Sequence, residues 1–166
     1  MKVIEKKRIS GQGLQSILNE KRVLLEYSHP FIVDLHYVFE NQKRTFFIMN
    51  FVRCGDLYKH LKLKSYFKES IAKFYAAQII LALGFLHDSK IIYRDLKLEN
   101  VLLESDGYIV LADFGMSKFL AHSDERMKSF VGTLPYLAPE IVNNEKYDRT
   151  VDWWALGIML FEMMFG

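Results

Sequence analysis

The sequence predicts an α+β fold, with a small sheet-rich part followed by a mainly helical one, and three observations carry that reading. Short β-prone runs surround a single helical pattern up to about Asn50. After Cys54-Gly55 the apolar residues recur instead at spacings of three and four. Inside this second part, Asp106-Gly107 separates two short β-prone runs, the signature of a tight hairpin. A chain of 166 residues that is 51% hydrophobic has room for one sizeable domain or two small ones, and ample material for a core.

In order along the chain, Val3-Ile4 reads as a strand and about Leu14 to Tyr27 as a helix. That helix places Ile17, Leu18, Leu24 and Leu25 near one face, and His29-Pro30 closes it, because the residue before a proline is pushed out of helical geometry. Ile32 to Phe39 and Thr45 to Met49 read as strands. Val52 to Gly55 forms a hinge, after which Asp56 is positioned to cap a short helix through Leu63. A longer helix runs from about Glu69, with Ile71, Phe74, Tyr75, Gln78, Ile79, Ala82, Phe85 and Leu86 on its apolar side. Its most apolar stretch, Phe74 to Leu86, is interrupted by Gln78 and falls short of the roughly 18 residues a membrane span needs, so it is expected to be a buried helix. V-L-L-E-S-D-G-Y-I-V-L, residues 101 to 111, forms the hairpin.

Composition narrows the function classes. Net charge is only +2 and the basic residues are scattered, so no basic stripe recommends a nucleic-acid partner. Cys54 is the only cysteine, which excludes an internal disulfide and a cysteine-only metal site and suits a reducing compartment. M-K-V-I-E-K-K-R at the start offers no signal-peptide core. The expected location is cytoplasmic (intracellular), with no membrane span.

Chemistry concentrates in Y-R-D-L-K-L-E-N, residues 93 to 100, which puts charged side chains between the apolar pair Ile91-Ile92 and the apolar run Val101-Leu102-Leu103. Asp95 and Asn100 precede the hairpin and Asp113 follows it, so closing the hairpin returns Asp113 alongside Asn100. Oxygen ligands around a hard cation, with Lys97 nearby, suit Mg²⁺-assisted transfer of a phosphoryl group, whose catalysis is mostly positioning and charge neutralisation. Taken singly, a D-x-x-x-x-N or a D-F-G reads more readily as a solvated loop with turn-forming Asp and Gly.

Taken together, R-D-L-K-L-E-N at 94 to 100, D-F-G at 113 to 115, A-P-E at 138 to 140 and D-W-W-A-L-G at 152 to 157 resemble the eukaryotic protein kinases over essentially the whole chain. Y-R-D, the N-E-K-R-V-L helix at 19 to 24 and F-Y-A-A-Q-I at 74 to 79 are most similar to the AGC group, which holds the cyclic-nucleotide-dependent kinases, protein kinase C and S6 kinase-like enzymes. The resemblance implies a protein-kinase-like bilobal fold, truncated at both ends: residues 1–51 a partial small lobe, residues 52–166 a partial large lobe.

The resemblance also implies roles. Asp95 is the catalytic base and Lys97 neutralises the phosphoryl group, while Asn100 and Asp113 hold Mg²⁺ on the phosphates of ATP. Lys2 grips those phosphates and pairs with Glu20. Met49 stands behind the adenine, the backbone of Asn50 and Val52 faces its edge, Leu102 packs beneath it and Asp56 contacts the ribose. Lysine two places after Asp95, with Gly132-Thr133, is the serine/threonine pattern. Leu24, Leu35, Tyr93 and Phe114 form a hydrophobic column anchored by Asp152. Ser129 is the activation-loop phosphorylation site, with Arg94 and Lys118 to pair the phosphate, which implies an upstream activating kinase. Asp56, Glu99, Thr133 and Glu162 contact substrate, the acidic ones reading basic residues upstream of the target.

The chain departs from the pattern in places. In the family a glycine-rich strand-turn-strand precedes the lysine strand and further helices follow the last one here. On that expectation Trp153, Trp154, Met159, Phe161 and Met164 are uncovered, Glu140 lacks an arginine partner, and the isolated chain binds ATP weakly and dissolves poorly. Leu134 and Pro135 replace the group's usual P-E, Ser16 stands where relatives carry a histidine, and Leu98 replaces a common proline. The competing readings are a catalytically inactive short kinase-like binding module and a small-molecule phosphotransferase, the latter opposed by the A-P-E and D-W-W motifs.

Overall fold

The computed structural model describes residues 1–6 and 11–166. Strands β1 (Lys2–Glu5), β2 (Leu35–Glu40) and β3 (Arg44–Met49) form an antiparallel sheet in the order β1-β3-β2. Phe47 at its centre faces Lys2 on one side and Val38 on the other and is fully buried. The turn between β2 and β3 is held by Asn41, whose side-chain oxygen accepts from the N–H groups of Lys43 and Arg44 at 2.8 Å each.

The second strand is shorter than the sequence predicts. Residues 31 to 33 leave the sheet and run beside the hairpin strand β6 (Ile109–Leu111), where Val33 N–H donates to Leu111 O at 3.0 Å and Leu111 N–H to Phe31 O at 2.9 Å. Backbone groups that would have extended β2 are satisfied there instead.

Helix α1 (Gly11–Glu26) packs beside the sheet, and its buried face also differs from the expected one. Ile17 and Leu24 are buried as predicted, but Leu18 and Leu25 are about half exposed while Glu20 and Val23 are buried. Positions 17, 20 and 24 follow the helical period, and the pull of Glu20 toward Lys2 sets the rotation.

Beyond the hinge, Asp56 caps α2 (Leu57–Lys64) by accepting from Lys59 N–H at 2.9 Å. Helix α3 (Glu69–Asp88) is the spine of the helical part and packs against α5 (Thr150–Phe165), β4 (Ile91–Ile92) and β6. Ala72, Ala76 and Ala82 let its neighbours approach closely, so the expected core positions Ile71 and Phe74 lie instead on its outer side. Against the expectation from the sequence, α3 is long and apolar enough to cross a membrane by length and composition. Buried Gln78 explains the one polar interruption: its Oε1 accepts from Ile109 N–H at 2.9 Å and its Nε2 donates to Phe74 O, so it ties the hairpin of β5 (Val101–Leu103) and β6 to the helix.

Strand β7 (Lys118–Phe119) pairs with β4, and the short α4 (Pro139–Val142) leads toward α5. One core cluster runs through both parts, from Val23 and Leu24 through Leu57, Leu83, Tyr93 and Phe114 to Met159. A smaller one, with Ile92, Leu137, Ile141, Tyr147 and Val151, lies under the segment between β7 and α5. Trp153, Trp154, Phe161 and Met164 are exposed as expected, but Met159 is fully buried, because it lies on the side of α5 that joins the main core. Glu140 is half-buried and makes no ion pair among the described residues.

Candidate active site

The polar loop survives between apolar flanks because a buried carboxylate satisfies its backbone. Asp152 of α5, 1% exposed, accepts from Tyr93 N–H at 2.9 Å and from Arg94 N–H at 2.8 Å, and also contacts His87 Nε2 at 2.8 Å. Arg94 adopts a left-handed backbone (φ 67°), which turns the following residue toward the cleft.

Asp95 is buried, and its carboxylate is the centre of a closed set of contacts. Its Oδ1 accepts from Thr133 Oγ1 at 2.7 Å and its Oδ2 from Asn100 Nδ2 at 2.9 Å, while Lys97 Nζ lies 3.0 Å from Oδ2 and 2.9 Å from Thr133 Oγ1. Thr133 lies 38 residues beyond Asp95 along the chain, so residues distant in sequence meet at one carboxylate.

Hairpin closure returns the third oxygen-bearing residue as expected. Val101 lies opposite Leu111, and Ala112 N–H donates to Asn100 O at 2.9 Å, which sets Asp113 beside the loop. Asp113 has φ 58°, its side chain is half exposed, and its Oδ1 lies 3.3 Å from Lys2 Nζ. Lys2 Nζ in turn reaches both oxygens of Glu20 at 2.8 Å. Burial works against charge on Lys2, but the carboxylates of Glu20 and Asp113 outweigh it and hold its pKa above the usual lysine value. Burial raises the pKa of Glu20, and Lys2 offsets this only in part.

The donor set suits a hard divalent cation that prefers oxygen ligands. Asn100 donates twice through Nδ2, to Asp95 O and Oδ2, while its amide oxygen has no hydrogen-bond partner among the described residues, and Asp113 offers a half-exposed carboxylate. Among the described residues no group of three or more His, Cys, Asp and Glu forms a protein-only cage. Mg²⁺ characteristically takes one or two carboxylates and completes its shell with water and phosphate oxygens.

Met49, Val52 and Leu102 are half-buried against the main core, Leu102 bridges to Asp56, and Leu103 N–H donates to Gly55 O at 2.8 Å. Asn50 is exposed; its N–H donates to Asp34 O and its side chain contacts His36 Nε2 at 2.6 Å. Tyr93 and Phe114 stack edge to face at 5.2 Å within the core that also holds Leu24 and Leu35.

Ser129 Oγ lies 3.2 Å from Arg94 Nη1, and a cavity of about 960 Å³ lined by Arg94, Lys118, Arg126, Lys128 and Ser129 opens beside it. Ser129 Oγ also lies 2.6 Å from the hydroxyl of Tyr147, a residue the sequence reading missed. Also unforeseen are His87 on Asp152, Asn19 donating to Ser117 O at 2.8 Å, and Lys59 on Asp56. Tyr147, His87 and Lys59 belong to no quoted motif, and only the Asp56–Lys59 spacing of one helical turn signals a contact in advance. The acidic trio expected to face substrate divides: Glu162 accepts from the Tyr136 hydroxyl, whose pKa is pushed up by burial and by that carboxylate, whereas Glu99 is exposed.

Comparison with known proteins agrees with this geometry. The protein kinase domain family model matches residues 1–166. Serine/threonine-protein kinase Sgk3 of Rattus norvegicus is 47% identical over 168 residues, covering 100% of this chain and 34% of the relative. Serine/threonine-protein kinase Sgk1 of Homo sapiens and sgk-1 of Caenorhabditis elegans are each 45% identical over the whole chain, which covers 39% and 36% of them. The chain thus spans little more than a third of the length of these relatives. A family match along its full length, joined to the Asp95, Asn100 and Asp113 geometry, places the chain in the protein kinase domain family.

Proposed function

We propose that the protein containing this chain transfers the γ-phosphate of ATP to Ser or Thr hydroxyls of protein substrates. The observation that carries this reading is the contact set in which Asp95, Lys97 and Thr133 meet beside Asn100 and the Lys2–Glu20 pair. Asp95 accepts the proton as the substrate oxygen bonds to the γ-phosphorus and the bond from that phosphorus to the β-γ bridging oxygen breaks, releasing ADP. Lys97 balances charge on the phosphoryl oxygens, and Lys2, oriented by Glu20, holds the remaining phosphates. Mg²⁺, held by Asn100 and Asp113, supplies further neutralisation of phosphate charge.

On the same reading residues 1–51 and 52–166 are the small and large lobe portions, and Met49, Asn50, Val52, Leu102 and Asp56 receive the nucleoside. Ser129 is modified by an upstream kinase, its phosphate paired by Arg94 and Lys118. Substrates carry basic residues near the target, read by Asp56, Glu99 and Glu162, and the protein works in the cytoplasm. A catalytically inactive binding module is the second reading, favoured by the exposed Trp153, Trp154 and Phe161 on α5. Phosphate transfer from labelled ATP to a serine peptide separates the two. The full-length protein is expected to transfer phosphate, and Asp95→Asn to lower the rate about a hundredfold or more; equal rates in the two proteins would sink the assignment.

A further inference from the structure

Both carboxylate oxygens of Asp56 are engaged by a single residue. Oδ1 accepts from the backbone N–H of Lys59 at 2.9 Å, and Oδ2 faces Lys59 Nζ at 2.9 Å. The first contact is the helix cap and holds the carboxylate in place. The second is an ion pair across the same turn, with the lysine side chain 74% exposed and the aspartate side chain 15% exposed. A cation approaching Asp56 from a substrate therefore meets a carboxylate that already has an ammonium group on its free oxygen.

The other two acidic positions differ from this one. Glu162 accepts from the neutral Tyr136 hydroxyl and keeps its charge, and Glu99 is exposed; neither makes an ion pair among the described residues. We infer that Lys59 is a specificity-determining residue: it masks Asp56, so that basic residues in a substrate are read mainly at Glu99 and Glu162. The inference rests on the substrate reading given under Proposed function. An exposed pair of this kind is weak and screened by salt, so the mask lowers selectivity by a small factor and does not abolish it.

The test uses two fluorescein-labelled peptides, one with arginines upstream of its serine and one with alanines in their place. Their affinities for the full-length protein are measured by anisotropy without nucleotide, at low salt. Lys59→Ala is expected to raise the preference for the arginine peptide about threefold. Lys59→Arg keeps the mask and should keep the original preference. Asp56→Asn preserves the cap while removing the charge, and in that background the gain from Lys59→Ala should vanish. An unchanged preference in Lys59→Ala, a gain that persists with Asn at position 56, or no binding of either peptide would overturn the inference. Phosphate transfer is assayed separately: its absence alongside the expected peptide pattern removes the catalytic reading and leaves the masking, and its presence with an unmoved preference does the reverse.

Discussion

Asp152 holds the backbone of Arg94 from 58 residues away, with its Oδ1 accepting the Arg94 N–H at 2.8 Å. The left-handed turn at Arg94 orients Asp95, so a carboxylate at the base of α5 determines the geometry of the loop above it. Its second oxygen serves Tyr93 N–H and His87, which leaves no part of this buried anion without a partner.

Asp152→Ala therefore removes the acceptor for two backbone N–H groups in one step. The expected destabilisation is about 3–5 kcal/mol, the scale seen when a buried, hydrogen-bonded ion loses one side of its partnership. Asp152→Asn retains one acceptor oxygen and should lose roughly half as much. Urea unfolding midpoints measure both, and equal midpoints for wild type and Asp152→Ala would contradict the role.

The Lys2–Glu20 pair predicts a pH dependence. The folded-state pKa of Glu20 is raised, so the stability linked to its protonated form is fully present below the ordinary glutamate value of 4.5 and is lost as pH rises through the folded value. Lys2→Ala takes away the charge that restrains that rise. The variant should therefore be more strongly destabilised relative to wild type at pH 8 than at pH 5, by on the order of 1 kcal/mol. Lys2→Ala combined with Glu20→Gln should flatten the difference; a pH-independent effect of Lys2→Ala would show that Glu20 is not its cause.

Thr133 couples Asp95 to Lys97 through a hydroxyl that donates to one and accepts from the other. On the proposed function, Thr133→Ala lowers the turnover number about tenfold or more with little change in unfolding midpoint. Thr133→Ser restores most of the rate, because it retains the hydroxyl. A Ser variant as slow as the Ala variant would assign the effect to the methyl group and its packing.

Tyr147 is nearly inaccessible, exchanges backbone hydrogen bonds with Met127, and places its hydroxyl on Ser129. Tyr147→Phe keeps the ring in the small core and removes the hydroxyl's contacts with Ser129 and with Arg94 Nη1, which donates to it at 3.3 Å. Stability should fall by about 1 kcal/mol, and protease cleavage within residues 123–130 should become faster. Unaltered cleavage would mean that the backbone pairing with Met127 is sufficient to hold the segment.

The order of β1, α1, β2, β3, α2 and α3, the hairpin at Asp106-Gly107, the Asp56 cap and the meeting of Asn100 with Asp113 were readable from the chain, because each depends on neighbours in sequence, whereas β4, β7 and α4 were not. Turn residues, cap residues and apolar spacing act over a few positions and carry their own geometry. The motif pattern around Asp95 and Asp113 points to phosphate chemistry without reference to tertiary structure.

Packing between distant segments decided the rest. Leu18 and Val23 are both apolar neighbours of Glu20, and tertiary packing, in which Val23 joins the main core and Glu20 meets Lys2, turns Val23 inward and Leu18 outward. Residues 31 to 33 pair with β6 instead of extending β2 because the unpaired backbone of the hairpin edge lies beside them. Ser129 finds Tyr147, and Asp152 finds Arg94, through chain paths that no local pattern records. Buried polar groups must be satisfied wherever the fold brings a partner, so the choice of partner emerges only when the chain is closed on itself.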